Sequence, residues 1–96
     1  MVNVTDDKIS PSNAGIEYSN DFICKWLLET LAGILKIKID NVSTELNMQS
    51  LDSLNAVELH TEVDNFFKIY LEEQFIFGNV TIRELADEIY KQIHNL

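Results

Sequence analysis

The sequence predicts an all-α fold: a small right-handed four-helix bundle, three longer helices and one short one, with a long loop between helices one and two. Three observations carry this expectation. Apolar residues recur at i, i+3, i+4 and i+7 over separate stretches, the spacing that gives a helix one buried face. One proline and three glycines in 96 residues leave few breaks in the chain. The sole alternating run, Ile37 and Ile39 between lysines, has no second strand to pair with.

Residues 1–18, MVNVTDDKISPSNAGIEY, are polar and without period, and hold the only proline. They read as an N-terminal tail or linker, which leaves residues 19–96 as one small domain. No internal repeat is present.

The first helix is read from SNDFICKWLLETLAGIL, with Ser19 or Asn20 as its cap and Asp21 in the first turn. Phe22, Ile23, Trp26, Leu27, Leu31, Ile34 and Leu35 form its stripe, and Trp26, the largest, is expected to anchor the core. Cys24 lies beside the stripe as a half-buried, inert thiol. KIKIDNVSTELNMQS is the long loop, with Ile39, Val42, Leu46 and Met48 folding back over the core. The second helix begins at Ser53 and buries Ala56, Leu59, Val63, Phe66, Phe67 and Tyr70. LEEQFIF forms the short helix, whose Phe75, Ile76 and Phe77 plug the core before Gly78 and Asn79 end it. The last helix opens on a capping box, Thr81 to Glu84, and buries Ile82, Leu85, Ala86, Ile89 and Ile93.

Seven Lys and Arg against sixteen Asp and Glu give a net charge of −9. A surface so acidic repels nucleic acid and anionic lipid, and steers basic protein partners toward it. A single cysteine excludes an internal disulfide. No signal peptide or membrane-length apolar run is visible, so a cytoplasmic monomer is expected.

The stretch SLDSLNAVEL, Ser50 to Leu59, raises the question of function. A catalytic serine needs a base within hydrogen-bond reach. His60 is seven residues beyond Ser53, about 10 Å up the same helix at 1.5 Å per residue. His94 lies near the C-terminus, and there is no G-x-S-x-G elbow. A hydrolase is therefore disfavoured. Glu58 and Glu62 at i, i+4 offer too few oxygens for a metal, and no His or Cys motif accompanies them. The run Glu58, Glu62, Asp64 reads as a solvated or docking face. What distinguishes Ser53 is its place at a helix start behind Asp52, where free N–H groups and the positive dipole end favour an anion. A plain N-cap at Asp52 or Ser53 explains the same residues.

The stretch L-D-S-L-N-A-V-E-L, Leu51 to Leu59, resembles the attachment motif of acyl carrier proteins, and F-G-N-V-T-I-R-E-L-A, Phe77 to Ala86, resembles a segment of polyketide-synthase carrier domains. The resemblance spans about Ser19 to Ile93. It implies a 4′-phosphopantetheine arm, delivered from coenzyme A, on Ser53, with Asp52 and Leu54 flanking it. It implies acyl or polyketide cargo held as a thioester, no catalytic residues of the protein's own, and docking at Glu58, which matches an acidic recognition position of the family's second helix; Glu62 and Asp64 are the further docking candidates on that helix. The implied partners are a phosphopantetheinyl transferase, a ketosynthase, an acyltransferase and other synthase enzymes. Helix two and the short helix would flank a shallow channel for the acyl chain. The family usually has Leu-Gly before L-D-S, where this chain has Gln49-Ser50, and a proline where it has Val80. Glycine there permits a turn conformation that serine does not share. A peptidyl or D-alanyl carrier is the alternative within the class. An acidic helical interaction module without a prosthetic group is the alternative outside it.

Overall fold

The computed structural model describes residues 18–94. The proposed tail lies outside the described residues, apart from Tyr18.

Four α-helices make up the described chain: α1, Asn20–Leu35; α2, Ser53–Phe67; α3, Gln74–Phe77; and α4, Ile82–His94. There is no strand among the described residues; an isolated bridge joins Asn47 and Thr81. Local chemistry starts each long helix. Ser19 Oγ accepts the N–H of Phe22 at 3.1 Å, opening α1. Thr81 Oγ1 accepts the N–H of Glu84 at 3.1 Å, and Glu84 Oε1 accepts the N–H of Thr81 at 2.9 Å. That reciprocal pair is the capping box expected at α4. Both α1 and α2 end on a lysine in the left-handed region, Lys36 at φ 60° and Lys68 at φ 58°. Each closes its helix through the cap N–H, Lys36 to Ala32 O and Lys68 to Asp64 O.

α1 packs on α2 and α4, and α2 on α3. The core takes Ile23, Leu27 and Leu31 from α1, Ala56, Leu59, Val63 and Phe67 from α2, and Ile82, Leu85, Ala86 and Ile89 from α4. Ala32 of α1, Val42 and Met48 of the long loop, Leu71 ahead of α3 and Ile76 of α3 complete it.

The loop between α1 and α2 is long and irregular, with 3₁₀ turns at Ile39–Asn41 and Met48–Ser50. Backbone bonds fasten it to the start of α4: Met48 N to Val80 O at 2.7 Å, Ile82 N to Leu46 O at 2.9 Å, and Arg83 N to Thr44 O at 2.9 Å. The Arg83 side chain adds contacts to Thr44 Oγ1 and Glu45.

Several expected core positions are corrected. Trp26 is half-buried, and its ring stacks on Phe66 with centroids 4.9 Å apart. At 100° per residue it stands at the edge of the Ile23–Leu27 stripe, so it closes the α1–α2 seam instead of filling the centre. Phe22, Phe66 and Phe77 are exposed for the same reason of angular position. Tyr70 follows the left-handed Lys68 cap, which turns the chain outward, and it is 72% exposed. Ile39 lies on an exposed 3₁₀ turn and does not cover the core. Tyr18, assigned to the tail, packs edge-on against Phe67 and stacks on Phe22 at 5.0 Å.

Candidate functional site

The site is assembled at the N-terminus of α2. Asp52 is its N-cap, with extended backbone (φ −72°, ψ 162°), and its Oδ1 accepts the N–H of Asn55 at 2.8 Å. The capping role thus falls to Asp52. Ser53 is the first helical residue, and its exposed hydroxyl has no hydrogen-bond partner among the described residues. The N–H groups of Ser53 and Leu54 are also without partners among those residues, as the first turn of a helix requires. Free donors and the positive end of α2 therefore surround an accessible nucleophilic oxygen.

The approach to Ser53 is fixed by the 3₁₀ turn Met48–Ser50. Gln49 N donates to Asn47 Oδ1 at 2.9 Å, and Ser50 N and Oγ both donate to Asn47 O, at 2.9 and 2.6 Å. Leu51 N donates to Met48 O at 3.1 Å. Left-handed backbone among non-glycine residues occurs at Lys36 and Lys68, so Ser50 needs no glycine conformation. Its hydroxyl closes a turn that glycine leaves open. Val80, in place of a proline, likewise supplies an N–H, which donates to Gly78 O at 2.9 Å.

Leu54 is 71% exposed beside Ser53. Glu58 and Glu62 are exposed farther up α2, four residues apart and so on one face with Leu54. Asp64 does not join them. It is half-buried and turned to another face, where its Oδ2 lies 2.7 Å from His60 Nε2. That contact lies off the line of a hydrogen bond, leaving His60 Nε2 and Asp64 Oδ1 without an aligned partner. The expected three-carboxylate face is thus two carboxylates and a leucine.

Cys24 is half-buried, with Sγ 3.5 Å from Asn20 Oδ1. Burial raises its pKa; Arg83 opposes this, and Asp87 and Asp21 reinforce it. The thiol stays protonated and is a poor nucleophile. Among the described residues no group of three or more His, Cys, Asp or Glu side chains is placed to hold a metal ion.

Residues 25–89 match the family described as phosphopantetheine attachment site. The chain belongs to that family. No curated protein and no solved structure matches it in the same comparisons. Members carry 4′-phosphopantetheine covalently, and this is the chain's prosthetic group. The phosphopantetheine-attachment family comprises carriers, typically without catalysis of their own, that meet a phosphopantetheinyl transferase and synthase enzymes.

The α2 N-terminus fits such a group. An ester phosphate on an exposed helix-start hydroxyl meets free N–H donors, and Asp52, the nearest carboxylate in sequence, has one oxygen occupied by Asn55. A shallow groove of about 490 Å³ lies at α3, lined by Glu72, Glu73, Gln74, Phe77 and Gly78, with no α2 residue among them. A second, of about 210 Å³, is lined by Phe22, Lys25, Trp26 and Glu29 of α1. Neither is the channel expected between helix two and the short helix. No helix among the described residues is long and apolar enough to cross a membrane.

Asn47 escaped the sequence reading, and Asn79 entered it only as the end of the short helix. Asn47 two residues before Gln49 is an Asx-turn arrangement, a signal that was present. Its contact with Asn79, 32 residues on, was not readable locally.

Proposed function

We propose that this chain is an acyl carrier of the polyketide-synthase kind, with its 4′-phosphopantetheine arm esterified to Ser53. Residues 19–96 form the carrier domain, residues 1–18 a tail or linker, the helices wind in the right-handed sense, and the setting is the reducing cytoplasm. The observation that carries the reading is the exposed, unpartnered Ser53 hydroxyl at the first position of α2, freed because Asp52 takes the cap.

Loading is a phosphoryl transfer. Ser53 Oγ bonds to the β-phosphorus of coenzyme A, and the bond from that phosphorus to adenosine 3′,5′-bisphosphate breaks. The bisphosphate leaves with the electron pair, and the Ser53 proton passes to a base of the Mg²⁺-dependent transferase. When bound, the group supplies a terminal thiol on which an acyl chain is held as a thioester. The chain's own residues hold and present. The Ser53 and Leu54 N–H groups would hold the phosphodiester. Leu54 offers apolar contact to partners, and Glu58 and Glu62 offer charge to a basic surface. Tethering raises the cargo's effective concentration at each synthase partner, ketosynthase and acyltransferase among them.

Intact mass after incubation with coenzyme A, Mg²⁺ and a promiscuous phosphopantetheinyl transferase tests this reading. The parent gains one phosphopantetheine and Ser53→Ala gains none while keeping its helical circular dichroism. Loading of Ser53→Ala overturns the site. Offering malonyl and aminoacyl thioester donors to the synthase partners then separates an acyl from a peptidyl carrier.

A further inference from the structure

Between Asn47 and Asp52 the chain has little regular structure, yet Ser53 must be presented in one place. Its geometry there rests largely on Asn47. The Asn47 side chain caps the Met48–Ser50 turn through Gln49 N, and its carbonyl receives both donors of Ser50. Because a backbone N–H can only donate, Asn47 Oδ1 must face Gln49. Asn47 Nδ2 therefore faces Asn79, whose Oδ1 accepts. Asn79 belongs to the turn between α3 and α4, and the bridge to Thr81 and the bond from Met48 N to Val80 O secure the same junction. One side chain thus joins the turn leading to Ser53 with the turn leading to α4.

We propose that Asn47 is a positioning residue for loading, holding the segment 48–52 so that Ser53 Oγ meets the transferase in line. This rests on the assignment of Ser53 as the attachment residue. Asn47 contacts neither coenzyme A nor the transferase in this role. It acts through the turn, so its loss shows in turnover and leaves docking through α2 intact.

The test is steady-state loading of the full chain by the same transferase, with the chain as the varied substrate. Asn47→Ala lowers kcat by about ten-fold to a hundred-fold, the scale that misplacement of a reacting group by about 1 Å produces, with KM unchanged. Asn47→Asp recovers kcat, because a carboxylate oxygen still accepts from Gln49 N and the Asn79 amide can turn to donate. The apo protein gives a second readout: hydrogen exchange at Gln49 and Leu51 accelerates in Asn47→Ala, while Leu59 and Ile89 keep their protection. Asn79→Ala and Ser50→Ala, both at exposed positions, probe the same turn should Asn47→Ala fold poorly. Wild-type kcat in the folded alanine variants overturns the proposal, as does a loss that Asn47→Asp does not repair. Peptide mapping separates the two readings. If the parent is not loaded on Ser53, the site assignment falls and this inference with it. If the parent loads on Ser53 and the variants load equally well, the positioning role alone falls.

Discussion

Asp52 Oδ1 accepts the Asn55 N–H at 2.8 Å, and that bond separates two roles that a helix-start Asp-Ser pair can confuse. The aspartate stabilises the helix. The serine, one residue inside, is left with nothing to hold and is open to solvent.

Asp52→Ala removes the cap and should cost about 1 kcal/mol, typical of a lost N-cap. For a domain of this size that lowers Tm by about 4–8 °C. Asp52→Asn keeps an accepting oxygen and should stay near the parent. Paired urea and thermal unfolding curves check both.

Glu58 and Glu62 share the face of α2 that rises from Leu54. Reversing both to lysine should raise KM for loading without changing the fold, and the parent's KM should itself climb with salt as screening grows. Asp64→Asn should leave KM unchanged, because Asp64 faces His60. An equal effect at Asp64 would return it to the docking face.

Burial raises the Cys24 pKa, so the folded state favours the neutral thiol. A group raised on folding contributes stability that is present below its unfolded pKa and is lost as pH rises through its folded value. Stability should therefore decline in the alkaline range above ordinary thiol titration, and Cys24→Ala should lack that component. At pH 8 iodoacetamide should modify native Cys24 more slowly than the urea-unfolded chain, as timed mass spectra would report.

Lys68 ends α2 at φ 58°. A left-handed residue with a Cβ costs about 1–2 kcal/mol, and glycine avoids it while giving up about 0.5–1 kcal/mol of unfolded-state entropy. Lys68→Gly should stabilise by roughly 0.5–1 kcal/mol, read from the urea midpoint at constant m-value. A destabilised variant would show that the lysine charge at the helix end outweighs backbone strain.

Much of this molecule follows from its sequence. Periodicity places the helices, because a 3.6-residue repeat records which side of a helix is apolar. The capping chemistry of Thr81 and Glu84, and the Asp-Ser pair opening α2, are local and so legible in order along the chain. Resemblance to acyl carriers in the same stretch led to the phosphopantetheine-attachment family that the match over residues 25–89 shows. Tertiary structure decided what depends on neighbours distant in sequence. A hydrophobic ring reads as core wherever it lies near a stripe, yet Trp26 and Phe66 meet each other across a seam, since the centre is already filled by Leu27, Leu59 and Ile89. Three carboxylates close in sequence read as one acidic face, yet the 100° turn per residue puts Asp64 on another, beside His60, so that placement was itself legible in the helical repeat. Most of all, the loop before Ser53 has no period to read. Its shape comes from Asn47 reaching Asn79 and from backbone bonds to the start of α4, partners that only the folded chain brings together.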